Sequence, residues 1–418
     1  MSLVVKNARV YKSGSLVHET LAADNGRVIQ FHEQMTAEPF LDFSNCILIP
    51  GLTDVHVHFR EPGFSYKETV KSGSAAALHG GYSAVCTMPN LSPSPDSDAG
   101  LAVQEECIRQ AGGVRIYPYG CITKGSQGEE LADMDVLAPR VIAFSDDGRG
   151  VQSDDMMRQA MKKAKQLGKI IAAHCEDDTL VGGCLHDGRY ARAHGYRGIP
   201  SACEWKQLER DLGLVAETGC AYHVCHVSCR ESVELIRQAK AAGLDVTAET
   251  APHYLVLCED DISEEHARFK MNPPLRSALD REALIEGVLD GTIDMIATDH
   301  APHTEEEKSR GFVLSPMGVS GLECAFPVLY TYLVKRGIMS LETLIHRMAI
   351  APRRRFSIAG GTEVGDIADF AVFDLSEESI VRGADFLSMG KVTPFENMKI
   401  YGKCKLTVLG GNIVWQEK

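Results

Sequence analysis

A series of eight short apolar segments along the middle of the chain constrains the fold more than any other feature. The segments are residues 55–59, 83–88, 114–119, 141–145, 170–175, 222–228, 246–250 and 295–299. Most are short and rich in β-branched residues, which is typical of buried parallel strands. Helical patterns lie between them, such as residues 231–242, which end at Gly243. Eight strands that alternate with helices predict an α/β protein with a (β/α)8 TIM barrel.

The two ends of the chain follow a different pattern. Residues 3–31 alternate apolar and polar side chains and contain turn pairs such as Asn25-Gly26, as antiparallel hairpins do. The tail repeats this alternation in residues 368–373 and 406–414. We therefore predict one small β-sandwich that both termini build together. The predicted domains are residues 1–51 for the first part of the sandwich, 52–355 for the barrel and 356–418 for the second part.

Composition and charge exclude several classes of protein. The chain has 418 residues and a net charge of −14, spread along its length. Such a charge argues against nucleic acid or an anionic membrane surface as the main partner, and no apolar run is long enough to span a membrane. The 13 cysteines are irregularly spaced and lie mostly in apolar segments, so we expect buried free thiols. Because the start lacks a signal-peptide core, we expect a cytoplasmic protein.

The predicted strand ends carry the groups that point to chemistry. In such barrels the reactive residues follow the carboxyl ends of the strands. Five of these ends carry imidazole or carboxylate groups: His56 and His58, Asp146 and Asp147, His174, His226, and Asp299. Zinc prefers these nitrogen and oxygen donors. The pair His56 and His58 shares one face of a strand, and donors on four other strand ends disfavour the alternative of two hydrogen-bonded core histidines.

Periodicity orders some of these donors and leaves others open. His223 and His226 are three residues apart, so we expect them on opposite faces of their strand. His226 lies nearer the carboxyl end and is the predicted ligand, whereas His223 is predicted to be structural. Asp146 and Asp147 also face opposite sides, and the pattern does not choose between them. His253 fits either a place near the barrel mouth or a loop brace.

Such a cluster suits a hydrolase, in which the metal activates water and the polar residues beside it bind the substrate. A metal lowers the pKa of bound water from about 15.7 to about 7, and it polarises a carbonyl oxygen. A carboxylate beside the metal, such as Asp299, can move a proton to the leaving nitrogen. Three recognition candidates follow the same strand ends: Arg60, Asn90 and His303. An arginine in a metal pocket suggests a substrate carboxylate, because its planar fork matches one bidentately, although a surface position is the alternative for Arg60.

Several motifs in this chain resemble the dihydroorotase family. Residues 54–63 (DVHVHFREPG) resemble its first signature, and residues 297–303 (ATDHAPH) followed by Lys308 resemble its second. Between them stand, in the family's order, residues 88–90 (MPN), 174–176 (HCE), 223–228 (HVCHVS) and 271–276 (MNPPLR). The match covers essentially the whole chain. It implies the reversible cyclisation of N-carbamoyl-L-aspartate to L-dihydroorotate in pyrimidine biosynthesis, with loss of water.

The resemblance also implies roles for individual residues. The zinc ligands would be His56, His58, His174, His226 and Asp299, with Asp299 also the acid–base residue. The substrate carboxylate would be held by Arg60, Asn90 and His303. The pyrimidine ring would meet Asn272 and the backbone of Met317 and Gly318. Residues 305–312 resemble a mobile lid that closes over the product.

One departure from the family pattern concerns the number of metal ions. Many relatives bridge two metals with a carboxylated lysine on the fourth strand, but residues 141–147 contain no lysine. The chain resembles the branch in which an aspartate takes that place, and the family spacing to His174 favours Asp147. Lys124 follows the third strand, which is the wrong strand for a bridge. We therefore expect one or two zinc ions per chain.

Two alternative functions share part of this pattern. Other cyclic amidohydrolases, such as hydantoinases and allantoinases, share the barrel and the metal chemistry but generally have the bridging lysine. The second alternative is an inactive dihydroorotase-like scaffold that supports aspartate transcarbamoylase. It is disfavoured because every ligand position is filled. Family analogy alone suggests a homodimer and an association with aspartate transcarbamoylase as partners.

Overall fold

The computed structural model describes residues 2–33 and 39–417. Its strands are β1 (Leu3–Lys6), β2 (Arg9–Lys12), β3 (Ser15–His18), β4 (Leu21–Asp24), β5 (Arg27–Ile29), β6 (Phe40–Asp42), β7 (Ile47–Pro50), β8 (Leu52–Val57), β9 (Tyr82–Thr87), β10 (Arg115–Pro118), β11 (Ile171–Ala173), β12 (Leu185–His186), β13 (Gly198–Ile199), β14 (Tyr222–Val224), β15 (Val246–Thr250), β16 (Met295–Ile296), β17 (Phe370–Ile380), β18 (Lys399–Leu409) and β19 (Asn412–Gln416).

Helices lie between the strands and after them. The α-helices are α1 (Val70–His79), α2 (Asp98–Ala111), α3 (Met134–Leu137), α4 (Asp154–Gln166), α5 (Arg189–His194), α6 (Ala202–Thr218), α7 (Arg230–Ala241), α8 (Pro252–Val256), α9 (Ala278–Asp290), α10 (Glu305–Lys308), α11 (Gly311–Leu314), α12 (Ala325–Leu329), α13 (Leu341–Ile345) and α14 (Ala351–Phe356). A π-helical stretch at Tyr330–Val334 continues α12, and another at His346–Ile350 joins α13 to α14. Within the described residues, no helix has the length and apolar character that crossing a membrane requires.

Parallel strands close into the predicted barrel. One parallel sheet contains β8, β9 and β10, and a second contains β11, β14, β15 and β16. Phe144 joins the two sheets because it pairs with both Gly120 and Ile171. The ring closes where Val57 of β8 pairs with His300, just after β16. The predicted fourth strand is thus very short, but the barrel prediction is confirmed.

Strands from both termini pack beside the barrel as a β-sandwich, which confirms that part of the predicted fold. A six-stranded sheet has the order β19-β18-β17-β7-β2-β3, and a four-stranded sheet has the order β5-β4-β1-β6. Between them lies an apolar cluster that includes Val5, Leu48, Phe370 and Leu406, all fully buried. Burial of each such side chain contributes about 1.5–3 kcal/mol, so the cluster holds the two ends of the chain together. The domain boundaries stay a prediction.

Small side chains fill much of the barrel interior. Ala84, Ala143 and Ala172 point into it, and Phe356 and Ile358 after the last helix join the same cluster. Because several of the residues in this cluster are alanines, the interior has room for polar side chains. All 13 cysteines are unpaired, and all except the half-buried Cys107 are buried, as expected for free thiols.

Candidate active site

The predicted donors converge at the carboxyl ends of the barrel strands, around Asp147. Three histidine nitrogens lie within 3.6 Å of the Asp147 Oδ1 atom: His56 Nε2 at 3.3 Å, His226 Nε2 at 3.5 Å and His174 Nδ1 at 3.6 Å. The Asp147 Oδ2 atom lies 3.5 Å from His58 Nε2, which is 3.1 Å from Asp299 Oδ1. The two oxygens of Asp147 therefore face two sets of donors.

Unusual backbone conformations aim several of these side chains. His226, Asp299 and Arg60 have φ values of 33°, 48° and 49°, in the left-handed region that non-glycine residues rarely adopt. All three follow the end of a regular strand. The expectation that His223 and His226 face opposite sides was wrong, because β14 ends at Val224 and the turn brings His226 back toward the barrel axis.

The buried carboxylate of Asp54 holds two ligand-bearing strands in register. It accepts hydrogen bonds from the backbone N–H groups of His56, at 3.0 Å, and of Thr298, at 3.1 Å. Burial raises the pKa of Asp54 to about 7. One N–H group belongs to His56 and the other to Thr298, which directly precedes Asp299. Asp54 therefore fixes the position of His56 relative to Asp299.

The structure separates the two neighbouring aspartates that the pattern left open. Asp146 turns away from the histidines and accepts hydrogen bonds from the backbone N–H of Ile122, at 2.8 Å, and from the Thr123 hydroxyl. Asp147 faces the histidine cluster instead. Lys124 lies far from this arrangement, in an exposed ion pair with Glu130. Of the candidate bridging groups, only Asp147 is placed between the donors.

The charges in the cluster favour ionised carboxylates. Burial alone would raise the pKa of Asp147, but the charge of His56 and the close approach of the His174 and His226 rings hold it well below its ordinary value. Burial likewise opposes ionisation of Asp299, and the hydrogen bond from His58 and the charge of His56 lower its pKa. Both shifts favour the negative form of the two carboxylates.

Unpartnered buried atoms show that the donors fit a metal ion. The Nε2 atom of His56 and the Oδ1 atom of Asp147 are buried and have no hydrogen-bond partner among residues 2–33 and 39–417. Buried polar atoms without partners are rare and costly. Moreover, His174 Nδ1 and His226 Nε2 lie only 2.8 Å apart, so both nitrogens face the same point in the cluster. Three groups of atoms in the described residues lie close enough together to surround a cation: His56, His58 and Asp299; His56, Asp147 and His226; and His56, Cys225 and Glu249. The first two consist of the imidazole and carboxylate donors that the sequence predicts.

A cavity of about 190 Å³ opens above the cluster. All predicted site residues line it except His56, which lies beneath, and His303, which lies behind Arg60. Asn90 donates a hydrogen bond to the backbone carbonyl of Asp147, and its own carbonyl oxygen is buried without a partner in the described part of the chain. His253 is buried on α8 against Tyr254 and does not line this cavity, and its Nε2 atom has no hydrogen-bond partner among the described residues, so both alternatives for it stay open.

Both ring nitrogens of His303 are engaged. Its Nε2–H donates to the Met317 carbonyl at 2.7 Å, and its Nδ1 accepts from the Lys67 ammonium at 3.1 Å. Its Nε2 also lies 3.4 Å from the Arg60 guanidinium. In this conformation His303 connects Arg60 to the Met317 backbone. Lys67 belongs to no strand end, so no feature of the sequence pointed to it as a site residue.

Glu176 is a further residue of the site, although the motif that contains it, residues 174–176, indicated no role for it. Its Oε2 atom lies 3.2 Å from His174 Nε2, and its Oε1 atom accepts from the Asn272 amide at 2.7 Å. Glu176 therefore orients a candidate metal ligand and a candidate substrate-binding amide together. Its position two residues after His174, on the same side of the chain, was the available signal.

The backbone of Met317 and Gly318 is held by a buried lysine. The Lys308 ammonium donates to the carbonyl oxygens of Lys270, Pro316 and Gly318 at 2.7–3.0 Å. Burial lowers the pKa of Lys308 to about 7. Gly318 has a φ of 123°, and a Cβ there would meet the Ala301 carbonyl oxygen at 2.6 Å, so only glycine fits.

The stretch predicted as a lid, residues 305–312, forms α10 and the start of α11. It is anchored in this structure by the buried side chains of Lys308 and Phe312. Phe312 packs edge-on against Tyr190 and Tyr196. The mobile lid stays a prediction.

Comparisons with known proteins agree with this geometry. A family model described as dihydro-orotase-like matches residues 45–232. Proteins named dihydroorotase from Bacillus cereus (strain AH820) and Bacillus cytotoxicus are each 46% identical over 424 aligned residues, which cover 100% of this chain and 99% of theirs. The L-hydantoinase (dihydropyrimidinase) from Arthrobacter aurescens superposes with a TM-score of 0.88 at 26% identity, over 99% of this chain and 96% of that one.

The barrel, its companion β-sandwich and the histidine–aspartate cluster at the strand ends define a cyclic amidohydrolase, a class of metal-dependent enzymes. Hydantoinases share this fold, but their sequence identity to the chain is much lower than that of the Bacillus proteins. The chain belongs to the dihydroorotase family.

Proposed function

We propose that this site catalyses the reversible cyclisation of N-carbamoyl-L-aspartate to L-dihydroorotate with zinc as its metal. One observation carries the proposal. A metal-binding cluster around Asp147 and an arginine suited to a carboxylate, Arg60, lie in the same small cavity. The substrate carries a carboxylate beside its reacting group, so the metal cluster would meet the reacting group while Arg60 meets the carboxylate. The 46% identity to proteins named dihydroorotase supports the choice of substrate.

The donor set supports two zinc ions. His56, His58 and Asp299 would hold one ion and His174 and His226 the other, with Asp147 between them. Imidazole and carboxylate donors without thiolates suit zinc, although other divalent metals accept the same set. When bound, zinc supplies an activated water for ring opening and polarises the ring carbonyl.

Asp299 moves the proton in this proposal. In the direction of ring opening, it accepts a proton from the attacking water and gives it to the leaving ring nitrogen as the C–N bond breaks. In ring closure the ureido nitrogen attacks the side-chain carboxyl carbon and gives its proton to Asp299. Asp299 returns this proton to the departing hydroxyl group, so that water leaves as the C–O bond breaks, and the substrate carboxylate takes up one further proton from solution over the whole reaction. The pKa of Asp299 is lowered, so the carboxylate starts in the ionised form that a proton acceptor needs.

Recognition falls to residues around the rim of the cavity. Arg60 and the partnerless carbonyl of Asn90 lie on one side, and Asn272 lies on the other. Because Glu176 accepts from the Asn272 amide nitrogen, the Asn272 carbonyl oxygen remains available to a ring N–H. We propose that Arg60, assisted by Asn90 and His303, binds the carboxylate that takes no part in the reaction. The backbone of Met317 and Gly318 would bind the ring.

Replacing Arg60 with alanine is expected to raise KM for L-dihydroorotate about 10- to 100-fold. The reason is that a hydrogen bond to a charged group contributes about 1.5–3 kcal/mol. Arg60→Lys should recover part of the loss, because lysine keeps the charge but not the planar fork. Arg149→Ala, an exposed arginine at the same end of the barrel, is the matched control. Steady-state kinetics measure all three, and an unchanged KM in Arg60→Ala would remove Arg60 from the binding site.

The proposed function is tested with three substrates and a metal count. Zinc-replete protein is incubated separately with L-dihydroorotate, hydantoin and allantoin, and zinc per chain is measured. Turnover of dihydroorotate alone, with close to two zinc ions, is the expected result. Turnover of hydantoin or allantoin instead would replace the proposal with a hydantoinase or allantoinase function. Full zinc occupancy without turnover would support the inactive scaffold.

Partners beyond the substrate stay predictions. A homodimer and an association with aspartate transcarbamoylase rest on family analogy, and size-exclusion chromatography coupled to light scattering tests both. A cytoplasmic location likewise stays an expectation.

A further inference from the structure

A buried chain of hydrogen bonds leads from the metal cluster down through the barrel. The Nδ1 atom of His56 lies 2.7 Å from Glu249 Oε1. The other oxygen of Glu249 lies 3.2 Å from His223 Nε2, and His223 Nδ1 lies 2.9 Å from the Thr247 hydroxyl. His56, His223 and Glu249 are at most 1% exposed. Of the residues joined by these hydrogen bonds, only His56 has a role in the proposed function.

The strand register explains why these residues meet. Thr247 and Glu249 are two apart on β15, so their side chains share one face of the strand. His223 on β14 pairs directly with Thr247 on β15, which places its ring on the same face. That face is the interior of the barrel, where Phe356 packs edge-on against the His223 ring from below. Three neighbouring side chains are thus fixed beneath a ligand on the distant strand β8.

The hydrogen bonds have a consistent direction when both histidines are neutral. The Nδ1–H of His56 donates to one oxygen of Glu249, and the Nε2–H of His223 donates to the other. His223 Nδ1 then accepts from the Thr247 hydroxyl. This tautomer of His56 leaves the lone pair of Nε2 directed at the metal cluster, and Nε2 is the atom without a partner in the described residues.

Glu249 also touches a second ligand position. Its Oε1 atom accepts from the backbone N–H of His226 at 3.4 Å. Both carboxylate oxygens are therefore committed to groups that carry or support metal ligands. A carboxylate behind a ligating histidine fixes the ring and raises its basicity. A buried carboxylate itself needs such partners to remain ionised.

We infer that Glu249 and His223 are positioning residues for the metal centre: Glu249 fixes the orientation and tautomer of His56, and His223, held by Thr247, fixes Glu249. This inference rests on the proposed metal site, but it does not depend on the substrate. Neither residue touches the reacting atoms: Glu249 acts through the His56 ring and the His226 backbone, and His223 acts through Glu249.

The test compares zinc affinity in Glu249→Gln, His223→Gln and the double variant. Zinc dissociation constants are measured by competition with a chelator, and the absorption spectrum of the cobalt-substituted protein reports the geometry at the metal. We expect about 10- to 100-fold weaker zinc binding in Glu249→Gln, with an altered cobalt spectrum. Because His223 acts through Glu249, adding His223→Gln to Glu249→Gln should weaken binding little further, whereas the single His223→Gln should weaken it clearly.

The control is Asp211→Asn, which alters a fully buried carboxylate bonded to Tyr222 and Arg210 outside the barrel interior. This control is expected to lower the melting temperature and to leave zinc affinity unchanged. Zinc affinity within twofold of wild type in Glu249→Gln, or fully additive losses in the double variant, would overturn the inference. If Glu249→Gln does not fold, Thr247→Val tests the other end of this series of hydrogen bonds. An unchanged zinc affinity and cobalt spectrum in Thr247→Val would then contradict the inference. Absence of dihydroorotate turnover in zinc-loaded wild type would instead contradict only the proposed function.

Discussion

Replacing Asp299 with asparagine is expected to lower kcat for L-dihydroorotate about 10²- to 10⁴-fold, the range that general acid–base catalysis contributes. Asparagine has nearly the same shape, and its oxygen can keep the contact with His58 Nε2, which is 3.1 Å in the native site. It cannot accept a proton from water or from the ureido nitrogen. Initial rates in both directions, with zinc counted per chain, measure the effect.

Zinc retention separates this loss from a simple loss of metal. The second carboxylate, Asp147, still faces His56, so we expect most of the zinc to stay bound. Asp178→Asn, in an exposed position after β11, is the matched control and should have normal rates. Turnover near the wild-type value with zinc retained would show that Asp299 does not move the proton.

Replacing Asp147 with asparagine is expected to remove at least one zinc ion and to lower kcat more than about 100-fold. Replacing a residue that only supports a metal ligand typically lowers metal affinity or activity about 10- to 100-fold, and Asp147 lies among the proposed ligands themselves. Four histidines have a nitrogen within 3.6 Å of its oxygens: His56, His58, His174 and His226. An amide has no negative charge to offset two cations. Zinc analysis after dialysis, together with kinetics, measures both effects.

The neighbouring Asp146 is the matched control for this variant. Its carboxylate accepts from Ile122 and Thr123 rather than facing the histidines. Asp146→Asn should therefore lower the melting temperature while the zinc count stays at the wild-type value. If Asp147→Asn binds as much zinc as wild type, Asp147 does not bridge the ions. A wild-type count of one would contradict the two-ion arrangement itself.

Much of the fold could be predicted because its signals are local and repeated. Short β-branched segments separated by helices predict the barrel, and the turn pair Asn25-Gly26 predicts a terminal hairpin. Both residues have positive φ, 47° and 79°, as that turn requires. The weakest element was the fourth strand, where only Phe144 forms bridges to its neighbours. Apolar character alone does not reveal how many residues will pair.

Residues that act from behind the site had no local signal. Glu249 is 193 positions from His56 in sequence, and only closure of the barrel brings them to 2.7 Å. Lys67 likewise matters through its contact with His303. A carboxylate or lysine inside a long chain is usually a surface residue, so nothing in the pattern selected these.

The sequence by itself determined the class of fold, the donor types and the strand ends that carry them, because strand and helix periodicity and the order of elements are properties of the chain alone. Only the tertiary structure decided that Asp147 rather than Asp146 faces the histidines, and that both His223 and His226 point inward. The physical reason is that alternation of faces holds only within a regular strand. The decisive residues lie beyond the strand ends, where backbone turns such as the φ of 33° at His226 set the direction of each side chain.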